Sequence, residues 1–454
     1  MTTRRLYRSF PLPVRLLLVN QFGVNTGFYV LVPFLAGYLA DDVGMSAALV
    51  GVVLGVRNLS QQGMFLLGGS ASDRLGARGV IIAGCGLRAV GFGLFAVDDS
   101  LAVLLAASVL SGLAGALFNP AVRAYLADAV EPERRAEAFA LFNVFANAGA
   151  LTGPLLGAAM LAWHFRVGAV VAAAVFAALT IAQACVLPAR PVARSGRTVA
   201  ADWRLCLGDR RFLAFTFALS GLYALQNQLY LVLPMEAERA TGHGSATAVL
   251  FLVSTGATLA WQVRVTRRAS RGGRGRAIAS GMALMGAAFL VPLAALPLTS
   301  GASDASGGGA AVARMLPVCA AALLLAFGVM VAQPFVMELI PAYARSDLSG
   351  TYFGVFYTVS GVIAALGSAA VGQAADVGGG TGSWTPWAVC AALGFGSAAA
   401  VLRLDRKGVL ARERTGADEA AAAGHDTPDG HAEHSTHEGG AKPAQPGDPG
   451  RTRP

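Results

Sequence analysis

Few residues in this sequence are suited to chemistry, and most of them sit in apolar surroundings. The stretch GGSASDRLGARG, Gly68 to Gly79, sets Asp73 beside Arg74 and Arg78, with Gly69 and Gly76 where a tight loop must bend. A carboxylate at such a point is stabilised by neighbouring cations and by the dipole of any helix that starts beside it. Arg57 and Arg88 stand in the middle of long apolar runs. Ionisable groups at that depth are costly and face a cavity or another charge. The pair therefore either binds an anionic ligand or pairs with polar groups between helices. Glu236 and Glu338 lie toward the ends of apolar runs. Glu338 follows Gln333-Pro334 by about a turn and is the best carboxylate for carrying a proton, with an ordinary interfacial role as the competing reading. Gln61, Gln62, Asn143, Asn147, Gln226, Asn227 and Gln228 either line a polar pathway or hydrogen-bond across helices.

The elements that must position these groups follow from composition. The 454 residues are 55% hydrophobic and 13% charged, with a mean hydropathy of +0.57, whereas soluble domains are about one quarter charged. Apolar stretches long enough to cross a hydrocarbon core of about 30 Å recur along the chain. They run over 14–38, 46–70, 79–97, 101–127, 136–162 and 167–188, and then over 211–236, 245–264, 277–298, 312–341, 349–374 and 384–403. The fold expected is all-α and integral to a membrane: twelve transmembrane helices in two six-helix bundles, 14–188 and 211–404. A cytoplasmic N-terminus (1–13), a linker (189–210) and a disordered tail (405–454) complete the chain. Arg4, Arg5 and Arg8 ahead of the first run suggest a secretory signal, but that run outlasts any signal core and is read as an uncleaved first helix.

The net charge of +9 is not a nucleic-acid footprint, because the basic residues fall in alternate loops. Arg74 and Arg78, Arg134 and Arg135, the cluster from Arg190 to Arg211, Arg264 through Arg276, and Arg345 mark one side. Asp41, Asp42, Asp98, Asp99, Asp304 and Asp376 mark the other, with Arg166, Arg239 and Arg314 as exceptions. By the positive-inside rule both termini are cytoplasmic. The five cysteines have no metal-ligand spacing. In the tail His431, His434 and His437 read as solvated low-complexity sequence rather than as a metal site. No HExxH, GxSxG or phosphate loop occurs, so no enzyme and no cofactor is expected.

The halves of the chain repeat each other. FYVLVP at Phe28 to Pro33 matches LYLVLP at Leu229 to Pro234, Asn119-Pro120 matches Gln333-Pro334, and Phe142 and Gly149 match Phe353 and Gly361, all in consistent order. Gly68 to Gly79 resembles the GxxxDRxGxR signature of the major facilitator superfamily, with Gly69, Asp73, Arg74, Gly76 and Arg78 on pattern positions. Gly149, Gly153, Pro154 and Gly157 of GALTGPLLG resemble the GxxxGPxxG pattern of its drug:proton antiporter branch. Glycines four apart also let two helices approach closely.

This resemblance implies alternating access through rocking bundles. It also implies that Asp73 meets the start of the eleventh segment near Asp347 to Gly350, together with Arg123 at the end of the fourth. The sequence departs from the branch at Ser108, where many antiporters carry a buried arginine, and in the first segment, where Asn20, Gln21 and Asn25 occur without an acid. The expectation is a secondary transporter of the bacterial inner membrane, with a small-molecule substrate and protons but no nucleic acid as partners, working as a monomer among lipids. It would export amphipathic drug-like molecules against protons, with the proton gradient as its energy source. The alternative is a specific carrier of a small anionic metabolite.

Overall fold

The computed structural model describes residues 3–161, 164–190, 196–241, 246–300, 308–345, 347–378 and 381–410. Most of the tail, including its histidines, lies outside the described residues. Among the described residues the chain is helical throughout. The first half holds α1 Thr3–Arg8, α2 Leu12–Gly37, α3 Ala47–Gly63, α4 Phe65–Leu75, α5 Ala77–Leu94, α6 Leu101–Ala129, α7 Arg135–Leu161 and α8 Phe165–Val186. Then come α9 Val199–Gly208, α10 Arg210–Ala218, α11 Ser220–Asn227, α12 Val232–Thr241, α13 Ala246–Ser270, α14 Arg274–Ser300, α15 Gly308–Tyr343, α16 Ser349–Gly378 and α17 Thr385–Arg406. Local chemistry starts several of them. Ser46, Thr198 and Asp209 each accept a hydrogen bond from a first-turn amide.

Ten spans among the described residues are long and apolar enough to cross a membrane. Two of the twelve expected segments are not among them, and both are interrupted. Segment 46–70 is interrupted at Met64 (φ −106°, ψ 7°), between α3 and α4. Segment 211–236 is divided at Leu219 and again by turns over 228–231 into α10, α11 and α12. Residues 189–210, expected as a plain linker, contain the helix α9.

Large apolar side chains point outward: Leu59, Leu75, Leu155, Ile181, Leu252 and Leu366 are each at least 60% exposed. Asn20, Gln183, Gln228, Gln262 and Ser108 are buried. This inverts the pattern that water imposes and suits lipid as the solvent. Within the first half α2 packs on α7 and α8, and α5 on α6 and α8. Within the second, α14 packs on α15 and α17, and α13 on α15. The halves meet along two seams, α4 against α16 and α7 against α13.

The repeat is visible in the backbone. Gly76 between α4 and α5 and Gly273 before α14 both have φ of +88°, a conformation that side-chain-bearing residues rarely adopt. Both bends lie at the arginine-rich end of the bundle.

Candidate functional site: the α4–α16 seam and a buried arginine pair

At the arginine-rich end α4 touches α16 backbone to backbone. A Cβ at Gly69 would collide with the Gly350 carbonyl, and one at Gly354 would stand 2.7 Å from the Phe65 oxygen. This proximity brings Asp73, near the end of α4, to the first turn of α16. One carboxylate oxygen accepts from the Gly350 amide at 2.7 Å, and the other accepts from the Thr351 amide and hydroxyl, both at 2.6 Å. A helix start leaves its first amides without intrahelical partners. Asp73 supplies those partners from another helix, and its charge faces the positive end of the α16 dipole. The clasp exists only while the two halves are together at this end. Behind it Asp73, Arg78, Tyr125, Asp128, Arg190 and Ser349 line a cavity of about 400 Å³.

Arg74 and Arg78 serve different neighbours. Arg78 donates to the carbonyls of Ala184 and Leu187, anchoring α8. Arg74 donates at 2.6 Å to Asp202, which Arg197 also engages at 2.9 Å. Arg197 in turn pairs with Asp347, and the Trp203 indole donates to Ser70 at 2.8 Å. The helix α9 is thus seated against both α4 and the start of α16. Burial opposes the charge of Asp202, but the Arg197 and Arg74 guanidiniums outweigh it and hold that carboxyl below its ordinary value. The carboxylates in turn raise the Arg197 pKa.

Arg123, expected beside Asp73, donates instead to the Asn119 carbonyl. Its guanidinium lies over the rings of Phe142 at 5.2 Å and Tyr357 at 5.0 Å. Asp73 satisfies both oxygens on α16, whereas Arg123 is a flat cation among aromatic faces.

Arg57 and Arg88 are 6% and 5% exposed. Each is roughly 15 Å into its helix at 1.5 Å per residue, from opposite ends of the bundle, so the two meet at mid-depth. Arg57 donates to Asn58 at 2.9 Å and to Gln61 at 3.3 Å and lies 4.6 Å from the Phe28 ring centre. Arg88 lies over Phe118 and Phe176, and among the described residues it makes no hydrogen bond. A Cβ at Gly115 would stand 3.0 Å from Gln61 and 3.2 Å from an Arg88 nitrogen, so one gap on α6 brings the two arginine environments together. No carboxylate pairs with either arginine among the described residues.

The acids are engaged. Glu236 makes a two-pronged pair with Arg239 at 2.6 and 2.7 Å. Glu338, 5% exposed, pairs at 2.7 Å with Arg274, the first residue of α14. It lies at the arginine-rich end, where an arginine occupies it. Asn143 donates to Gln333 at 3.3 Å across α7 and α15, and Asn147 to the Asn143 carbonyl at 2.8 Å. Gln226 is half-buried on α11. Asn20 and Asn25 are spent on bonds to Gln183 and to the Ala146 carbonyl.

Gly149, Gly153 and Gly157 face α2. A Cβ on the first or third would strike the carbonyls of Phe22 or Val30, and one on Gly153 would stand 2.6 Å from the Tyr29 Cβ. Pro154 lies inside α7 without ending it.

Sequence reasoning missed Arg197, Asp202, Trp203, Thr351 and the pair between Arg267 and Glu137. The capping Thr198 ahead of an apolar-spaced Ala-Ala-Asp-Trp stretch was the available signal for α9. Nothing local announces its partners.

A bundle of apolar-faced helices with a breakable clasp between halves defines a membrane carrier. Residues 17–368 match the Major Facilitator Superfamily, and the chain belongs to that superfamily. A relative in Mycobacterium tuberculosis, an uncharacterized MFS-type transporter, is 43% identical over 378 residues, covering 82% of this chain and 88% of its own. The multidrug resistance protein MdtH of Aeromonas hydrophila is 30% identical over 404 residues, covering 86% and 93%. Two solved structures share the fold. The human organic anion transporter MFSD10 has a TM-score of 0.64 at 18% identity, covering 88% of this chain and 100% of its own. The E. coli fucose:proton symporter FucP has a TM-score of 0.68 at 13% identity, covering 86% and 98%. The protein is a membrane transporter, a carrier rather than an enzyme.

Proposed function

We propose that the protein exports amphipathic drug-like small molecules across a bacterial inner membrane by alternating access, driven by inward movement of protons. The observation that carries this reading is the Asp73 clasp on the α16 amides, a contact between halves that has to part if this end is to open. The likeness to MdtH supports the substrate class. In this reading the arginine-rich end and both termini are cytoplasmic, 14–188 and 211–404 rock as two bundles, and the monomer needs no cofactor. The segments 46–70 and 211–236 each cross the membrane as broken helices, giving twelve crossings.

Glu338 carries the proton by exchanging it for Arg274: taking up a proton and releasing the guanidinium are one event. The test is transport in proteoliposomes with an imposed pH gradient. Glu338→Gln is expected to lose gradient-driven transport by about tenfold or more while keeping substrate counterflow, since an amide cannot carry the proton. Full gradient drive in that variant removes Glu338 from the mechanism.

A second reading, a specific carrier of an anionic metabolite, is favoured by Arg57 and Arg88, two buried cations that pair with no carboxylate among the described residues. The fold neighbour described as an organic anion transporter is consistent with it. Competition among substrates separates the readings: broad tolerance supports export of drug-like molecules, and narrow selectivity for one anion supports the second.

A further inference from the structure

At the arginine-rich end a groove of about 910 Å³ runs between α1 and α13. Arg4, Arg5 and Arg8 form one wall and Arg264 the other, with Ala260 and Val263 as an apolar floor. All four arginines are exposed, and among the described residues none makes a hydrogen bond or an ion pair. Glu137, the acid of this seam, is taken by Arg267 at 2.7 Å. Four like charges around one groove repel unless an anion sits among them.

The basic wall is fixed rather than a free tail. Leu6 and Phe10 are buried, Tyr7 stacks on Phe145 with ring centres 5.6 Å apart, and Arg134 donates to Ser9 at 2.6 Å while lying over the Phe10 ring. Depth narrows the choice of anion. From Ala246, where α13 begins, to Arg264 is roughly 27 Å at 1.5 Å per residue, close to the hydrocarbon thickness of about 30 Å. Arg264 therefore stands at the level of lipid phosphates, with apolar wall below it for acyl chains. Basic pockets between membrane helices at this level suit anionic headgroups.

We propose that this groove binds the phosphate headgroup of an anionic phospholipid. The bound headgroup ties Arg4, Arg5 and Arg8 of the first half to Arg264 of the second and so holds the α7–α13 seam shut. The inference is independent of what the carrier transports.

The test is thermal unfolding of the purified full chain in detergent, titrated with phosphatidylglycerol, phosphatidylcholine or the soluble sn-glycerol 3-phosphate. Phosphatidylglycerol is expected to raise the Tm by several degrees and the other two to leave it unchanged. The triple variant Arg4→Gln/Arg5→Gln/Arg8→Gln and the single variant Arg264→Gln are expected to lose most of the rise. An equal-charge control, Arg210→Gln/Arg211→Gln/Arg406→Gln, is expected to keep it. An equal rise with phosphatidylcholine, a rise with glycerol 3-phosphate, an unchanged response in the groove variants, or an equal loss in the control each overturns the proposal. Should the triple variant fail to fold, Arg264→Gln on the opposite wall decides by the same criteria.

Discussion

Where α4 meets α16, Asp73 accepts three hydrogen bonds from α16, and Arg74, Asp202, Arg197 and Asp347 extend the contact through α9. Where α7 meets α13, the charged contact is Arg267 with Glu137, each side chain more than a quarter exposed. The related bends show where the seams diverge. Three residues before Gly76 stands Asp73, and three before Gly273 stands Ser270, whose hydroxyl turns back to the Arg267 carbonyl at 2.9 Å. The repeat kept the turn and changed the side chain that does the clasping. One seam is closed by satisfied backbone amides, which are specific in direction. The charged contact at the other is a half-buried ion pair between flexible side chains, of the kind worth about 1 kcal/mol.

The largest expected effect tests whether backbone approach is what permits the first clasp. Gly69→Leu places a side chain where the Gly350 carbonyl lies, so transport is expected to fall to background while the protein still reaches the membrane. Substantial transport would mean the seam need not close so tightly. Next comes Asp73→Asn, which keeps the shape but removes the charge and one acceptor. Leaving a buried amide unsatisfied costs about 1–3 kcal/mol, so transport is expected to fall by about tenfold. Wild-type counterflow rates would sink the clasp.

A smaller effect sharpens the role of α9. Because the Asp202 carboxyl is held below its ordinary value, its stabilisation is fully present above about pH 4 and disappears as pH falls through the native pKa. The Tm difference between wild type and Asp202→Asn is expected to stay constant from neutral pH down to about 5 and to shrink only in stronger acid. A difference that already fades near neutral pH contradicts the ion-pair account. Smallest of all, Arg267→Gln is expected to change transport less than about threefold. If it matches Asp73→Asn, the two seams are equivalent and the contrast fails.

Much of this arrangement was legible in sequence. Apolar runs and alternating arginine loops mark the membrane helices because both follow from composition alone. Asp73 was visible through the likeness of its glycine-framed stretch to the superfamily signature, and Gly149, Gly153 and Gly157 because their spacing selects one helix face. The breaks at Met64 and over 228–231 were hidden: lipid-facing residues stay apolar whether the helix is continuous or not, so hydropathy runs straight across them. The partner of Glu338 was hidden because Arg274 lies 64 positions away on another helix. The position of Arg123 was likewise invisible, since aromatic rings on α7 and α16 draw it away from the acid.

The shared backbone bend at Gly76 and Gly273 has a consequence for the balance of states. A carrier turns over only if its two access states lie within a few kcal/mol of each other, so that neither becomes rare. A second acid at Ser270, presented by the same bend, could supply the α7–α13 seam with a contact of its own. If it added about 1–3 kcal/mol to one state, the other would become roughly 5- to 150-fold scarcer. With the turn preserved and the carboxylate absent, the protein closes this end with one clasp on backbone amides and one ion pair, and so favours the closed state less than two clasps would.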